Sequence, residues 1–172
     1  IIGVGTMGAG IAQIAIQSGH DVVMFDAKAG AAEQAHDKLL KTLRTLADKG
    51  KFSHEKATED IEHLSIAQHL DDLKECDLVV EAIIENLEIK QKLMQQLEAI
   101  VKPEAILASN TSSLSISAIA ANCRQPERVA GYHFFNPGPL MKVVEVIEGF
   151  NTRADIIEAL TQLSIKMGHR PV

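Results

Sequence analysis

The sequence predicts an α/β fold in which helices cover both faces of a doubly wound, mostly parallel sheet. Two observations indicate this class. Short apolar segments rich in Val, Ile and Leu alternate along the chain with longer segments of helical periodicity. A glycine-rich turn at residues 3–8 separates the first apolar segment from the first helix. The length of 172 residues suits one domain, residues 1–172.

The first half of the chain predicts two strands and an unusually long connection. The span from Asp26 to Leu64 exceeds a simple crossover, so we expect an inserted helical hairpin after the second strand. The predicted elements are a strand ending at Ile1-Ile2, a helix over 8–18, a strand over 21–26, a helix over 28–47, a helical stretch over 53–62 and a short strand over 64–67.

The second half continues the alternation. Asn86 is predicted to cap a helix that Pro103 ends, and Asn151 or Thr152 to cap the last helix before Gly168. The other predicted elements are strands over 77–83, 105–108, 129–134 and 143–147, and a short helix near 115–121. The strand over 143–147 follows a Pro-Gly-Pro turn and is expected to run antiparallel.

Composition excludes several classes of protein. A hydrophobic content of 46% supports a buried core, and the net charge of −6 argues against nucleic acid as a partner. No apolar run approaches the ~20 residues of a membrane helix, so no membrane partner is expected. Cys76 and Cys123 match no metal-binding spacing and form no disulfide framework. We therefore expect no metal and a reducing, cytoplasmic location.

The two ends of the chain are expected to be internal to a longer protein. The sequence opens at the end of a predicted strand, and after Gly168 it stops where another strand would begin. A presequence would not be visible in such a fragment, so the mitochondrial matrix stays open as an alternative to the cytoplasm.

The glycine turn carries the first functional signal. Its residues Gly3, Gly5 and Gly8 fit the pattern G-x-G-x-x-G between a strand and an apolar helix. In a dinucleotide site the first glycine allows the turn, the second lets the diphosphate approach, and the third lets the helix pack closely. Thr6 and Met7 lie at the helix start, where free N–H groups attract phosphate. The alternative is a purely structural glycine turn.

Asp26 ends the second strand, 18 residues after Gly8. A carboxylate at this position accepts hydrogen bonds from the adenosine ribose and repels a 2′-phosphate, which favours NAD over NADP. Lys28 softens that repulsion, and Asp26 has the alternative role of capping the next helix.

A second constellation follows the later strands. Ser112 lies after one predicted strand, while His133 ends another and Asn136 follows it in a loop. Neutral imidazole can accept the proton of an alcohol near neutral pH, so His133 is a candidate base for a hydride-transfer reaction. Glu145 can orient it only if its strand folds back beside His133. A buried structural histidine is the alternative. A hydrolase triad is disfavoured because no G-x-S-x-G elbow is present.

Together these motifs resemble the N-terminal NAD-binding domain of the L-3-hydroxyacyl-CoA dehydrogenase family, over almost the whole chain and in family order. The resemblance implies a Rossmann-type fold with an inserted helical hairpin. The matching stretches are 3–12, 77–86, 109–114, 131–137 and 141–145.

The resemblance also implies roles for individual residues. His133 would be the general base, Glu145 its orienting partner, and Ser112 a contact of both the substrate 3-oxygen and the nicotinamide side. Asn110 and Asn136 would bind the cofactor.

Four further residues match family positions outside these loops. Glu85 and Lys90 correspond to cofactor contacts, with an exposed helix-start acid and a solvated lysine as the alternatives. Thr42 and Lys49 fall near the family's contacts with coenzyme A, although Lys49 is equally explained as a solvated charge.

The implied activity of the full-length protein is oxidation of an L-3-hydroxyacyl-CoA to the 3-ketoacyl-CoA with NAD. In this family a helical C-terminal domain closes the cleft and forms the homodimer, so residues 1–172 alone are expected to be nearly inactive. The alternatives are another NAD-dependent 3-hydroxy acid dehydrogenase and a catalytically silent structural homologue.

Overall fold

The computed structural model describes residues 1–172 and contains six α-helices and seven strands. The helices are α1 (Thr6–Gln17), α2 (Ala31–Asp48), α3 (His54–Glu62), α4 (Leu87–Ile100), α5 (Ile116–Ala120) and α6 (Ala154–Lys166). The strands are β1 (Val22–Met24), β2 (Leu64–Ile66), β3 (Leu78–Glu81), β4 (Ile106–Ser109), β5 (Val129–Phe134), β6 (Val143–Glu148) and β7 (Arg170–Pro171).

The sheet is mostly parallel, as predicted. Strands β1 and β2 form a parallel pair, and β3, β4 and β5 form a parallel group in that order. Ile2 joins the two parts through parallel bridges to Phe25 and Glu81. The chain therefore adds β1 and β2 to the sheet on one side of Ile2, and then adds β3, β4 and β5 on the other side. Ligands of such sheets bind at the carboxyl ends of the strands beside this reversal.

Strand β6 folds back antiparallel beside β5, and β7 then pairs with β6 in parallel. The predicted antiparallel return after the Pro-Gly-Pro turn is thus confirmed. Strand β6 extends the sheet beyond β5 and places Glu145 directly beside His133.

The inserted helical hairpin after the second strand is also confirmed, because α2 and α3 lie between β1 and β2 in the chain. Leu39 and Leu43 of α2 are buried in one hydrophobic cluster with Ile16 of α1 and Val22 of β1. The hairpin is therefore anchored to the domain by ordinary apolar packing.

The predicted cap of the last helix is wrong. Arg153 occupies the N-cap of α6, and it makes no side-chain cap hydrogen bond. The hydroxyl of Thr152 instead donates to the carbonyl of Val129 at 2.6 Å and accepts from the N–H of Gly149 at 2.7 Å. Thr152 is thus used to tie the preceding turn to β5. None of the helices combines the length and apolar character needed to cross a bilayer.

Candidate cofactor and catalytic site

The three glycines of the turn have different surroundings. Gly3 adopts φ +83°, and a Cβ there would lie 2.8 Å from the carbonyl oxygen of Ala82. A Cβ on Gly8 would lie 1.8 Å from the carbonyl oxygen of Gly3, far closer than any real contact. A Cβ on Gly5 would meet nothing within 4 Å. Gly3 and Gly8 are therefore required by the fold, whereas the missing side chain of Gly5 leaves open space.

That open space lies at the start of α1. The helix begins at Thr6, and Gly5 at the N-cap supplies no side-chain hydrogen bond. The first N–H groups of an α-helix have no acceptor within the helix, and the helix dipole makes this end positive. The geometry fits a diphosphate, because the free donors and the clearance at Gly5 coincide.

Asp26 lies beside the same turn. Its carboxylate accepts hydrogen bonds from the N–H of Val4 at 3.0 Å and from the N–H of Lys28 at 2.9 Å. The N-cap of α2 is Gly30, so Asp26 does not cap that helix. Each carboxylate oxygen keeps capacity for a further donor, which is the property that a ribose diol requires.

A cavity of about 290 Å³ opens at the carboxyl ends of β3, β4 and β5. It brings together predicted site residues from four separate stretches of the chain. Its lining consists of Met7, Ala82, Ile83, Glu85, Asn110, Ser112, His133, Phe134, Phe135 and Asn136. The cavity therefore connects the start of α1 with the candidate base.

His133 and Glu145 form the predicted pair. They are directly opposite each other in the β5–β6 register, and Nδ1 of His133 donates to Oε2 of Glu145 at 2.6 Å. The His133 side chain is only 15% exposed. Because an ionised carboxylate only accepts hydrogen bonds, Nδ1 carries the hydrogen of this bond, which in a neutral imidazole leaves the lone pair on Nε2. The arrangement is suited to accepting a proton from a ligand in the cavity.

The loop after β4 forms another wall. The N–H of Asn110 donates to the carbonyl of Glu81 at 2.9 Å, and its Oδ1 accepts from the N–H of Phe134 at 2.8 Å. Asn110 thus links the ends of three neighbouring strands. Ser112 is exposed on the cavity wall, where its hydroxyl is accessible to a ligand.

Glu85 is a cavity residue held by several partners. Thr111 and Ser113 donate hydroxyl hydrogen bonds to Oε1, and the Lys90 ammonium lies 3.4 Å from Oε2. Partial burial acts to raise the pKa of Glu85. The hydroxyl donors and the Lys90 charge outweigh that effect and hold the pKa below its usual value. Glu85 therefore carries its negative charge into the cavity.

Lys90 is a buried side chain bonded to a second acid. Its side chain is only 1% exposed, it is absent from the cavity lining, and Nζ donates to both carboxylate oxygens of Glu81 at 2.8 Å. The alternative of a solvated lysine is therefore wrong, while the cofactor contact that the resemblance implies stays a prediction. Sequence reasoning also missed Glu81, whose one signal is an acid inside an otherwise apolar strand.

The two candidate coenzyme A residues lie in different surroundings. Thr42 lines a second cavity, of about 430 Å³, between α1, α2 and the loop at 137–139, and Asn136 lines both cavities. Lys49 is exposed at the end of α2 and lines neither cavity. The structure thus brings Thr42, but not Lys49, next to the glycine turn.

The chain matches known proteins over its full length. A family model described as "3-hydroxyacyl-CoA dehydrogenase, NAD binding domain" matches residues 1–172. The 3-hydroxyadipyl-CoA dehydrogenase of Escherichia coli (strain K12) is 44% identical over 100% of this chain and 36% of its own length. A probable 3-hydroxybutyryl-CoA dehydrogenase of Deinococcus radiodurans is 45% identical over 100% of this chain and 62% of its own length.

Solved structures agree. The crystal structure of 3-hydroxybutyryl-CoA dehydrogenase from Escherichia coli K12 superposes with a TM-score of 0.98 at 44% identity, covering 100% of this chain and 36% of that protein. The (S)-3-hydroxybutyryl-CoA dehydrogenase of Ralstonia eutropha gives 0.95 at 37% identity, over 99% of this chain and 60% of that protein. The chain spans 36% to 62% of the length of these relatives. It belongs to the family of NAD-binding domains of the 3-hydroxyacyl-CoA dehydrogenases.

Proposed function

We propose that the protein containing this domain oxidises an L-3-hydroxyacyl-CoA to the corresponding 3-ketoacyl-CoA, with NAD as the oxidant. The observation that carries the proposal is the His133–Glu145 pair, joined at 2.6 Å beside a cavity that Met7, at the start of α1, also lines. A base for the alcohol proton and a site for a dinucleotide are the two parts such a reaction needs.

The residues present fit NAD. The free N–H groups of the first turn of α1 would bind the diphosphate beside Gly5, and Asp26 would accept from the adenosine ribose hydroxyls. Asn136 and Glu85 would hold the half of the cofactor that enters the cavity. When bound, NAD supplies the acceptor for the hydride that leaves C3 of the substrate.

His133 performs the proton transfer. Because Nδ1–H donates to Glu145, Nε2 accepts the proton of the 3-hydroxyl group, and Glu145 stabilises the imidazolium that forms. Ser112, exposed on the same cavity, donates a hydrogen bond to the 3-oxygen and holds it near His133. In the reverse direction the imidazolium returns its proton to the carbonyl oxygen.

The proposal also covers where coenzyme A binds, how the protein assembles and where it acts. Gly5 and Thr42 line the same groove, so the diphosphate occupies its end at the glycine turn and part of the coenzyme A chain its end at Thr42. Regions outside residues 1–172 close the cleft and form a homodimer, and the protein acts in the cytoplasm.

The decisive experiment uses the full-length protein and follows NADH absorbance with a series of L-3-hydroxyacyl-CoA esters. The expected result is turnover that requires the CoA ester and is lost in His133→Gln while NAD still binds. Equal turnover of the free 3-hydroxy acids would indicate the other dehydrogenase class. NAD binding with no turnover on any ester would indicate a silent homologue.

A further inference from the structure

We propose that Glu81 is a positioning residue for the nicotinamide half of the cofactor. It does not line the cavity itself but fixes two segments that supply half of the cavity lining. The inference rests on the proposed function, because it assumes that the nicotinamide half of NAD occupies the cavity of about 290 Å³.

Glu81 is fully buried, at 0% exposed, and its carboxylate is completely bonded. Lys90 donates to both oxygens at 2.8 Å, and the N–H of Ile83 donates to Oε2 at 3.0 Å. The hydroxyl of Ser109 donates to Oε1. One carboxylate thus joins the end of β3, the end of β4 and the first turn of α4.

These bonds hold the cavity wall. The segments at 81–85 and 109–113 supply half of the lining, namely Ala82, Ile83, Glu85, Asn110 and Ser112. Asn110 is tied back to the Glu81 carbonyl at 2.9 Å, and the N–H of Thr111 is tied to the Ser109 hydroxyl at 3.2 Å. A shift of the Glu81 side chain would therefore move both segments together.

Glu81 also acts on the charge in the cavity. Lys90 bonds Glu81 and lies 3.4 Å from Glu85, so a single ammonium is shared between a buried and a cavity-facing carboxylate. If Glu81 lost its charge, Lys90 would be drawn toward Glu85 and would neutralise the carboxylate that faces the ligand.

Stability alone is a weak reason for this arrangement. A buried ion pair contributes little compared with apolar residues of similar volume, because desolvation of the two charges offsets their attraction. Its bonds are nevertheless directional, since any displacement leaves a buried charge unpaired. An ion pair at this place therefore fixes geometry more than it adds stability.

Only one half of the cofactor depends on this network. The proposed diphosphate and adenosine contacts are the start of α1 and Asp26, and none of these groups bonds the Glu81 side chain. NAD and ADP-ribose share those contacts, but only NAD carries the nicotinamide. The difference between their affinities consequently isolates what the cavity contributes.

The test measures the dissociation constants of NAD and ADP-ribose by calorimetry on full-length wild type, Glu81→Gln and Ser109→Ala. In Glu81→Gln we expect NAD affinity to fall about tenfold, the value of roughly one hydrogen bond, while ADP-ribose affinity stays within about twofold. Ser109→Ala should show a smaller loss in the same direction, because it removes one donor to Glu81 and leaves no buried charge unpaired.

Two further variants keep the result interpretable. The double variant Glu81→Gln/Lys90→Met removes both charges, so it leaves no buried charge unpaired and is expected to fold even if Glu81→Gln does not. It should lose affinity for NAD but not for ADP-ribose. Asp60→Asn is the matched control. It disrupts the pair on α3 between Asp60, which is 1% exposed, and the partly exposed Lys56, and it should leave both affinities unchanged.

The outcomes are distinct. Equal losses for NAD and ADP-ribose, or no loss for either, would overturn the positioning role of Glu81. Equal affinities of the two ligands in wild type would also overturn it, since the cavity would then contribute nothing to binding. Wild type that binds neither ligand would instead refute the proposed function.

Discussion

Replacing Gly5 by alanine separates the cofactor role of the glycine turn from its structural role. Gly5 has φ −63° and ψ −168°, an extended conformation that alanine adopts, and the added Cβ would meet no atom within 4 Å. Alanine also restricts the unfolded chain. We therefore expect Gly5→Ala to raise the free energy of unfolding by about 0.4–1 kcal/mol, or to leave it unchanged.

The effect on NAD should be opposite. The Cβ added by Gly5→Ala would project into the space where the diphosphate approaches the start of α1. Keeping the diphosphate away would weaken one or two charge-assisted hydrogen bonds, at about 1.5–3 kcal/mol each. The expected loss of NAD affinity is thus about ten- to a hundredfold or more.

Gly8→Ala is the matched comparison within the same motif. Its Cβ would lie 1.8 Å from the Gly3 carbonyl oxygen, a backbone atom that cannot rotate away. The start of α1 would have to move off the turn, so we expect a loss of about 3 kcal/mol in the free energy of unfolding.

Chemical denaturation and NAD titration of the full-length wild type and both variants give the two quantities. A Gly5→Ala variant as unstable as Gly8→Ala would show that Gly5 is required by the fold. Wild-type NAD affinity in Gly5→Ala would contradict the cofactor role of Gly5, because the open space there would then hold no part of the ligand.

Three other predictions concern the cofactor preference, the His133–Glu145 pair and the two cysteines. Asp26→Ala should weaken NAD binding and remove its preference over NADP, and equal wild-type affinities for the two cofactors would contradict this. His133→Gln should lower kcat by ~10²–10⁴-fold with NAD affinity unchanged, and Glu145→Gln should act in the same direction. The double variant should be barely worse than His133→Gln, whereas additive losses in log kcat would mean that Glu145 acts elsewhere. Burial raises the pKa of Cys76 and brings that of Cys123 to about 11, so a thiol reagent at pH 8 should label both only slowly until the protein is unfolded.

Much of this site could be predicted because its requirements are local. The turn at Gly3 and the close packing at Gly8 depend on residues near in sequence, so the motif specifies its own geometry. The alternation of strands and helices likewise predicted the sheet and the hairpin at α2 and α3. The position of Asp26 could be predicted in the same way. Its strand lies parallel to the first one, so the two strands end side by side and Asp26 lies beside the turn.

The interactions that sequence analysis missed are those that depend on distant packing. Lys90 lies in the first turn of α4, a position that is usually solvated, and only the fold shows that Glu81 faces it. Burial of both groups depends on how α4 packs over the ends of β3 and β4. The predicted cap of α6 was wrong for a similar reason, because the Thr152 hydroxyl donates to β5 and not to its own helix.

The His133–Glu145 pair is an intermediate case. Both residues could be picked out from the sequence, but whether they meet depended on the fold. The condition was the register of β6 against β5, and apolar packing fixes that register. Phe134 faces Val144 one step along the pair, and both are buried in the same cluster on the opposite side of the sheet. A slip of one residue would turn Val144 toward the cavity and drive the Glu145 carboxylate into that cluster, which its desolvation forbids. The hydrophobic face of β6 thus determines where the carboxylate meets His133.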